Sequence, residues 1–431
     1  MTSCLMLALA GCSGTEDAPV EVVPTLALTT VRPLDGTGDA PFDRERQLQA
    51  PPGWTVSVWA RVPGARLLAW TPDRRLLVSR PKTGDVIALT PGQGDAPATQ
   101  QSLVSGLNQP HGLAFSGDTL YVAESDQVNA FIYRSGALSD RRVIAGGLPD
   151  AKSPELGGAY AHALKSVAVG ADGTLYVSVG SAGNISAEDR DASPERASIL
   201  RIAPGGRPET YARGVRNGTG LAIDPDGAVW TAVNHRDNTG FPWDADYNGD
   251  GGSDQGEVIQ DYVNDHPFEQ LAKLTPGRDL GWPYCNPDPD VSPGAKDSPL
   301  DYTNRPFVRD IQTNADGTKL DCTTLPPTEQ GLGAHSAPLG LIFEKDLPGG
   351  YGTGALVGVH GSWNRKPPRP PEVSFFAWRD GTLGPRQTLL TGFQNDDGSR
   401  WGRPVMAVRG PDGAFYVSDD SAGAVYRVSP A

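Results

Sequence analysis

Five of the six histidines stand next to short apolar runs that are typical of β-strands. The five are His111, His162, His235, His335 and His360. An imidazole exchanges a proton near neutral pH, so a histidine in a cleft is a candidate general base. Equivalent positions in a repeating fold would bring all five to one end of the molecule. Alternatively, they are scattered surface or core histidines that hydrogen-bond to backbone groups.

Cations and aromatic residues lie in neighbouring segments of the chain. These positions are Arg216 with Asn217, Trp363 with Arg365, and Arg403. An arginine guanidinium pairs with carboxylates through two parallel hydrogen bonds, and a tryptophan offers a flat face to a planar ring. These residue types indicate an anionic, planar ligand, unless the arginines only close a channel with ion pairs.

An acidic loop of twelve residues offers a second kind of chemistry. Its oxygen-bearing residues are Asp246, Asn248, Asp250, Asp254 and Glu257. Their spacing, with a glycine at the sixth position, fits the calcium-loop pattern D-x-N-x-D-G-x5-E. The flanking residues lack the paired helices of an EF-hand. The segment is therefore either a calcium site or a plain acidic, glycine-rich loop.

The elements that would position these residues recur along the chain. Each copy is a short apolar run, a turn that usually contains Asp-Gly, and a second run rich in aromatic and β-branched residues. The anchor positions of the copies are Ala69, Ala114, Ala168, Ala222, Ile342 and Ala407. Each copy predicts a β-hairpin, and units of this size bury both faces only by stacking in a closed ring. The sequence predicts an all-β, six-bladed β-propeller of four-stranded antiparallel blades, with an insert over about 238–333 after the fourth blade.

The composition agrees with many short strands. The 431 residues include 53 Gly and 39 Pro, about twice the usual share, which excludes long helical bundles. The 37 Lys and Arg residues against 51 Asp and Glu residues give a formal net charge of −14. An acidic surface repels phosphate backbones, so we expect no nucleic-acid partner.

The first residues match the pattern of an export signal. A short apolar run ends at Gly11-Cys12, as in lipoprotein signal peptides whose cysteine is lipidated, although a chance apolar N-terminus is the alternative. We expect a signal peptide over 1–12, a flexible tether over 13–50 and the propeller over 51–431. The protein would be exported, and only its lipid anchor would contact a membrane. In such an oxidising compartment, whether periplasmic or extracellular, Cys285 and Cys322 are expected to form a disulfide.

Seven segments resemble, in order, the glucose/sorbosone dehydrogenase family. They are Gly147-Leu-Pro with His162, residues 170–180, Gly214-Val-Arg-Asn217 with Gly220-Leu-Ala, Gly281-Trp-Pro283, His335-Ser-Ala-Pro338, His360-Gly-Ser-Trp-Asn-Arg365 and Trp401-Gly-Arg-Pro404. Members of this family are sugar dehydrogenases of six-bladed propeller fold that depend on pyrroloquinoline quinone (PQQ). The resemblance extends from about Pro51 to Val428.

The resemblance implies a role for each candidate residue. His162 matches the catalytic base, and Arg216 with Asn217 matches the pair that binds the quinone oxygens and stabilises developing charge. The backbone carbonyls of His235 and Arg236 fall where relatives bind Ca²⁺, and Arg403 matches an arginine that binds a cofactor carboxylate. The remaining cofactor-binding candidates, which border the same segments, are His111, His335, Trp363 and Arg365.

Two departures from the family pattern bear on function. Lys165 stands where the family often has an arginine, and His235-Arg236 replaces the Gly-Pro of glucose-type members, as in the sorbosone branch. The main hypothesis is a dehydrogenase with PQQ and Ca²⁺ that oxidises an aldose or a sorbosone-like aldehyde. Since no haem-attachment motif is present, electrons would pass to an external quinone or cytochrome. The alternatives are a calcium-dependent lactonase and a non-catalytic, lipid-anchored propeller that binds carbohydrate or protein.

Overall fold

The regular structure of this protein is almost entirely β-strand. The computed structural model describes residues 25–94 and 96–430. Within these ranges the α-helix α1 (Gln260–Val263) is a single turn, and short 3-10 turns cover Pro154–Leu156, Ala187–Asp191 and Cys322–Thr324. No helix in the same ranges is long and apolar enough to cross a membrane. The predicted all-β class is confirmed.

The strands are short and follow one another closely along the chain. In the first half they are β1 (Ala27–Pro33), β2 (Gln47–Ala50), β3 (Thr55–Arg61), β4 (Leu68–Trp70), β5 (Leu76–Arg80), β6 (Asp85–Thr90), β7 (Thr99–Ser105), β8 (Gly112–Ser116), β9 (Thr119–Ala123), β10 (Gln127–Arg134), β11 (Ala137–Gly146), β12 (Val167–Val169), β13 (Leu175–Val179), β14 (Ser198–Ile202) and β15 (Glu209–Arg213). In the second half they are β16 (Gly220–Ile223), β17 (Val229–Ala232), β18 (Glu269–Leu274), β19 (Arg278–Asp279), β20 (Cys285–Pro287), β21 (Phe307–Arg309), β22 (Gln330–Leu332), β23 (Pro338–Leu347), β24 (Gly352–Val359), β25 (Glu372–Arg379), β26 (Thr382–Thr391), β27 (Pro404–Arg409), β28 (Phe415–Asp419) and β29 (Ala424–Ser429).

Consecutive strands form antiparallel sheets that repeat along the chain. The sheets β4-β5-β6-β7, β8-β9-β10-β11 and β16-β17-β18-β22 have four strands, and β12-β13-β14-β15 gains β19 as a parallel fifth. The first two strands of these sheets are the hairpins predicted from the repeats. Ala114, for example, pairs with Tyr121, and Ala168 pairs with Tyr176.

A ten-stranded sheet joins the two ends of the chain. Its order is β23-β24-β25-β26-β2-β1-β3-β29-β28-β27. Strand β3 pairs with β29, so residues near the N-terminus complete the sheet formed by the C-terminal strands. Strand β1 lies parallel to β3 and antiparallel to β2, and β2 pairs with β26.

The first strands of the successive sheets form a closed circuit. Strand β4 contacts β8, β8 contacts β12, β12 contacts β16, β16 contacts β23, β23 contacts β27, and β27 returns to β4. These strands line a central cavity of about 500 Å³. Apolar residues fill the space between neighbouring sheets, as Leu77 and Leu120 do between the first two. Stacking of this kind buries both faces of each sheet, so the architecture is propeller-like.

The predicted tether is wrong for the part of it that the structure describes. Strands β1 and β2 lie within 13–50, and Val31, Phe42 and Leu48 are buried in the core beneath the ten-stranded sheet. The Phe42 ring packs edge-on against Trp401 and Tyr426, and Val31 and Leu48 belong to the same apolar cluster, which holds the segment in place. The predicted signal peptide and Cys12 lie outside the described residues.

The predicted insert also needs correction. Strand β18 lies inside 238–333 and pairs with β17, and β22 then pairs with β18. Two segments, 233–268 and 275–329, therefore interrupt this sheet rather than following it. The second segment carries the hairpin β20–β21 and the disulfide Cys285–Cys322, which confirms the predicted pairing.

Candidate functional site

The candidate histidines lie at one end of the ring of strands. His111, His162 and His335 precede the first strands β8, β12 and β23, whereas His235 and His360 follow the second strands β17 and β24. Because the first and second strands of a sheet are antiparallel, the start of one lies beside the end of the other. The strand pairings therefore place all five at the same end, as the sequence predicted.

His162 is a neutral imidazole with a fixed tautomer. Its Nδ1 lies 3.0 Å from the Ser181 carbonyl oxygen and 2.8 Å from Ser181 Oγ. Since a carbonyl oxygen only accepts, Nδ1 carries the hydrogen and Nε2 keeps the lone pair. Burial, together with the charge of Arg216, lowers the pKa of His162 to about 3. Nε2 makes no hydrogen bond to a described residue, so it can accept a proton.

Asn217 and His162 both border Gly180. A Cβ atom added at Gly180 would stand 2.5 Å from His162 Cβ and 3.2 Å from Asn217 Oδ1. The absence of a side chain at position 180 thus leaves room for His162 and for the Asn217 amide on this glycine. Within the described residues the Asn217 side chain has no hydrogen-bond partner, whereas its backbone carbonyl accepts from the Asn234 amide.

Arg216 is buried, and each nitrogen of its guanidinium donates a hydrogen bond. Its guanidinium donates to the carbonyl oxygens of Asn184, Asn234 and His235 at 3.2, 3.1 and 2.7 Å, and to Asn184 Oδ1 at 3.0 Å. Burial lowers the pKa of Arg216 to about 10, so it remains a cation near neutral pH. The residue joins three loops at this end of the ring.

The carbonyl that was predicted to bind Ca²⁺ accepts a hydrogen bond from this cation. The His235 carbonyl oxygen lies 2.7 Å from Arg216 Nη1, and a calcium ion bound there would face the guanidinium charge. Arg236, the other predicted residue, is buried and donates to Asp310 Oδ2 at 2.5 Å. Calcium therefore does not fit at the His235 carbonyl in this structure, because Arg216 supplies the positive charge there.

Two acidic residues, Glu269 and Asp237, lie next to the same segment. Glu269 Oε2 accepts from the His235 amide at 2.5 Å, and Asp237 Oδ1 lies 3.3 Å from His335 Nδ1. Burial raises the pKa of Glu269 to about 7. Burial also lowers the pKa of His235 well below its usual value, and neither of its ring nitrogens has a partner among the described residues. Since His335 is buried and contacts Asp237, its imidazole is not exposed to a ligand.

A second cluster of charges lines a pocket of about 350 Å³ at the same end. Its charged and imidazole side chains are Arg66, Lys82, His360, Arg403 and Asp420, and it reaches Leu164, two residues after His162. Arg66 and Lys82 lie near the first sheet, whereas Arg403 and Asp420 lie in the C-terminal sheet. Closure of the ring brings these distant parts of the chain together.

Asp420 is the centre of the hydrogen bonds in this pocket. Its Oδ2 accepts from Arg66 at 2.8 Å and its Oδ1 accepts from His360 Nε2 at 2.8 Å. Burial opposes ionisation of Asp420, but the hydrogen bond from His360 and the charge of Arg66 hold its pKa well below its usual range. Burial lowers the pKa of His360 to about 4 and that of His111, beside Arg66, to about 3. Both imidazoles are therefore neutral near pH 7.

The lining of this pocket carries more positive charges than negative ones. The lining includes three cations, Arg66, Lys82 and Arg403, against the single carboxylate of Asp420. Among the described residues, the Arg403 guanidinium donates only to the carbonyl oxygens of His360 and Gly361, and Arg66 Nε is buried without a partner. An unpaired buried donor and an excess of positive charge fit an anionic ligand that carries carboxylates.

Of the six residues predicted to bind the cofactor, Arg403 lines this pocket, whereas His111, Asn217, His335, Trp363 and Arg365 do not. The Trp363 side chain is 73% exposed, and Arg365 donates to the carbonyl oxygens of Asn264 and Pro367. His335 lies with Asp237, as described above. Arg66, Lys82 and Asp420 were not among the predicted residues, because no motif in the sequence distinguishes them from other surface charges.

The ammonium group of Lys165 is bound by backbone groups of the loop before β12. Its Nζ donates to the carbonyl oxygens of Pro149 and Ala163 at 2.8 and 2.6 Å and lies 4.7 Å from the centre of the Tyr160 ring. Burial lowers the pKa of Lys165 to about 7. The lysine therefore stabilises the loop before β12.

The acidic loop does not gather its oxygens around one point. Asp246 accepts from the backbone amides of Gly249 and Gly251 at 2.7 and 2.8 Å, and Asp254 accepts from Tyr247 and Asn248. Asp250 and Glu257 are exposed. In the described ranges, no three of the loop's carboxylates lie close enough together to hold one metal ion. The calcium loop stays a prediction.

Comparison with known proteins relates the chain to sugar-oxidising enzymes. A sequence model of the TrAA12-like family matches residues 48–431. The pyrroloquinoline quinone-dependent pyranose dehydrogenase of Coprinopsis cinerea is 26% identical over 296 residues, which cover 58% of this chain and 37% of that protein. An uncharacterised protein of Borreliella burgdorferi is 34% identical over 110 residues, 25% of this chain and 29% of that protein. The chain thus spans well under half the length of either curated relative.

Solved structures agree with the fold. The holo form of the pyranose dehydrogenase PQQ domain from Coprinopsis cinerea superimposes with a TM-score of 0.73 at 20% identity, covering 92% of this chain and 100% of that one. The calcium structure of a Trichoderma reesei protein of carbohydrate-active enzyme family AA12 gives 0.70 at 21% identity, covering 89% and 96%. At these identities the likeness concerns the fold.

Proposed function

Because the chain belongs to the TrAA12-like family, we propose that it is a PQQ-dependent dehydrogenase that oxidises sugars. The observation that carries the proposal is the pairing of an electropositive pocket with a neutral histidine base at one end of the ring. The curated relative from Coprinopsis cinerea is a PQQ-dependent pyranose dehydrogenase, which supports this assignment.

The pocket residues suit the charge of the cofactor. PQQ carries three carboxylates, and Arg66, Lys82 and Arg403 would pair with them, since together they exceed the charge of Asp420. When bound, the quinone supplies the two-electron acceptor that no protein side chain provides. Arg66 would also gain a partner for its buried Nε.

His162 would act on the substrate as the general base. Its Nε2 lone pair faces away from Ser181, so a sugar hydroxyl can donate a proton to it. Arg216 holds the loops on either side through carbonyl oxygens, and it stabilises the neutral form of His162 through its charge. We assign Arg216 a positioning role, and Asn217 the role of an amide that orients ligand oxygens beside the base.

Several finer features belong to the same proposal. The ten-stranded sheet would comprise two blades joined through β2 and β1, which gives six blades in all, and the closed circuit of first strands supports this. The substrate would be an aldose or a sugar-derived aldehyde, and electrons would leave to an external acceptor. Export and a lipid anchor at Cys12 complete the proposal, together with Ca²⁺ bound elsewhere than the His235 carbonyl.

A binding protein without catalysis is the second candidate. The observation that favours it is that Arg216, predicted to bind the quinone, already donates to three backbone carbonyl oxygens. Such a protein would still bind an anion in the pocket, but it would not oxidise sugars.

Reconstitution separates the two candidates. The full chain is titrated with PQQ, with and without Ca²⁺, and a panel of aldoses and sugar aldehydes is then added while the quinone spectrum and the reduction of a dye are followed. We expect saturable binding of one PQQ per chain and reduction by at least one sugar. Absence of PQQ binding under all conditions would refute the proposal. Binding without reduction by any sugar would favour the binding protein.

A further inference from the structure

A buried cluster of metal-binding residues lies outside the site described above. It consists of His266, Asp288 and Asp290, residues that are 4%, 3% and 2% exposed. His266 follows helix α1, and the two aspartates follow strand β20 in the sequence Asn286-Pro-Asp-Pro-Asp290. One ligand atom from each residue lies within 4.8 Å of the other two.

The imidazole of His266 is oriented as a metal ligand would be. Its Nδ1 lies 2.9 Å from the Tyr262 carbonyl oxygen, which only accepts, so Nδ1 carries the hydrogen. Nε2 therefore keeps its lone pair, and this atom is buried without a hydrogen-bond partner among the described residues. Metal-bound histidines are fixed in this way by a carbonyl or carboxylate at the other ring nitrogen. The Tyr262 ring, stacked on the imidazole at 3.9 Å, restricts its rotation.

Both carboxylates approach the unpartnered nitrogen. His266 Nε2 lies 3.2 Å from Asp290 Oδ1 and 3.8 Å from Asp288 Oδ1. Arg305 donates to the backbone carbonyl oxygens of Asp288 and Asp290, and the Asp290 amide donates to Asp288 Oδ1 at 3.0 Å. These contacts fix the backbone around the two aspartates and leave Asp290 Oδ1 directed at the imidazole.

We propose that His266, Asp288 and Asp290 bind a divalent metal ion of the zinc type, which ties the segment after α1 to the hairpin β20–β21. The tetrahedral ligands of a zinc ion, each about 2.0–2.2 Å from the metal, stand roughly 3.4 Å apart. The separations of 3.2 and 3.8 Å from Nε2 match this spacing. One nitrogen and two carboxylate oxygens suit Zn²⁺, whereas Ca²⁺ takes six to eight oxygen ligands. The ion would also neutralise two carboxylates that are buried together.

The proposed ion has a structural role next to the candidate active site. The Val263 carbonyl oxygen, in α1, lies 2.7 Å from His335 Nε2, and Asn264 exchanges hydrogen bonds with Lys366. Cys285, which begins β20, is cross-linked to Cys322. A metal ion at His266 would thus join the segment that supports His335 to a hairpin that the disulfide already restrains.

Metal analysis of the full chain tests the proposal. Wild-type protein is saturated with Zn²⁺, separated from unbound metal by gel filtration and analysed for metal content. We expect one zinc per chain in the wild type and less than about one tenth of that in His266→Gln and Asp290→Asn. Asp250→Asn, which removes an exposed carboxylate from the acidic loop, is the matched control and should retain one zinc. Zinc lost in Asp250→Asn but kept in His266→Gln would overturn the proposal, because the ion would then lie in the loop.

A second measurement on the wild type does not depend on folding of the variants. We expect Zn²⁺ in large excess over its dissociation constant to raise the thermal unfolding midpoint by about 5 °C relative to protein treated with phenanthroline. Ca²⁺ should not reproduce the shift, and Co²⁺ should bind with the visible absorption of a four-coordinate ion. An unchanged midpoint together with no bound zinc would overturn the proposal and leave His266 as an ion-pair partner of the two aspartates.

Discussion

Arg216 Nη1 donates to the His235 carbonyl oxygen at 2.7 Å, although the family resemblance assigned these two residues to different ligands. The arginine was expected at the quinone and the carbonyl at a calcium ion. In the structure they form a hydrogen bond with each other, and the guanidinium also donates hydrogen bonds to Asn184 and Asn234. The contact joins the loop before β16 to the loop after β17, so this end of the ring is held by a buried cation.

Replacing Arg216 with Lys tests that positioning role. A lysine has one nitrogen where arginine has a planar fork, so carbonyl oxygens of Asn184, Asn234 and His235 would lose donors while remaining buried. We expect Arg216→Lys to lower the free energy of unfolding by about 2 kcal/mol, measured by urea denaturation. An unchanged unfolding free energy with abolished PQQ binding would show that Arg216 serves the ligand alone.

Arg403 is expected to contribute directly to ligand binding. In the part of the chain that the structure describes, its guanidinium donates only to the carbonyl oxygens of His360 and Gly361, so its charge is available to an anion in the pocket. We expect Arg403→Gln to weaken PQQ binding by about tenfold or more, since a charge-assisted hydrogen bond contributes roughly 1.5–3 kcal/mol. Trp363→Ala is the matched control, because this side chain is 73% exposed and outside the pocket lining. Fluorescence titration with PQQ measures both. Equal losses of affinity in the two variants would contradict this account.

Glu269 makes the stability of the protein depend on pH. Burial raises its pKa to about 7 in the folded state, above the usual value of 4.5 in the unfolded chain. The folded protein therefore binds the extra proton, and the stabilisation is lost as the pH rises through the folded pKa. Between pH 5 and pH 8, we expect the free energy of unfolding of Glu269→Gln to rise by on the order of 2 kcal/mol relative to that of wild type.

Urea denaturation at four pH values across that range measures the difference. Gln at this position keeps an oxygen for the His235 amide, so the variant is expected to fold. Glu188→Gln, which removes an exposed carboxylate, is the control. Its free energy of unfolding should change with pH as that of wild type does. Parallel curves for Glu269→Gln and wild type would show that Glu269 does not retain its proton.

The disulfide Cys285–Cys322 should stabilise the interrupted sheet. It closes a loop between residues 37 apart in sequence, and the entropy lost by the unfolded chain corresponds to about 4 kcal/mol. We expect reductant to lower the urea midpoint of wild type, and the double variant Cys285→Ser/Cys322→Ser to have the lower midpoint regardless of reductant. A wild-type midpoint that does not respond to complete reduction would contradict the prediction.

The repeating parts of the fold were predictable from the sequence because their signals are local. A hairpin such as that of Ala168 and Tyr176 consists of two apolar runs around a turn, all within thirteen residues. Once hairpins repeat, antiparallel pairing decides which ends of the strands meet, so the common end of the five histidines followed. The exact partners of His162 and Arg216 did not follow, since loop conformations set them.

Contacts that depend on ring closure could not be predicted. Arg66 and Asp420 are 354 residues apart and meet because β3 pairs with β29. The apolar residues of the supposed tether, such as Phe42, pack on the same distant strands. The cluster of His266 with Asp288 and Asp290 lies in an irregular segment without periodicity, where only the folded chain shows which side chains meet.

The proton-accepting role of His162 is the central claim, and a single-turnover experiment tests it most directly. Wild type and His162→Gln are loaded with one PQQ, mixed with excess sugar, and followed by the spectrum of the bound quinone. Glutamine keeps an amide donor for Ser181 but has no basic nitrogen. We expect PQQ affinity within about twofold of wild type and a rate of quinone reduction lower by roughly 10²–10⁴-fold. A variant that binds PQQ and is reduced at the wild-type rate would contradict the account.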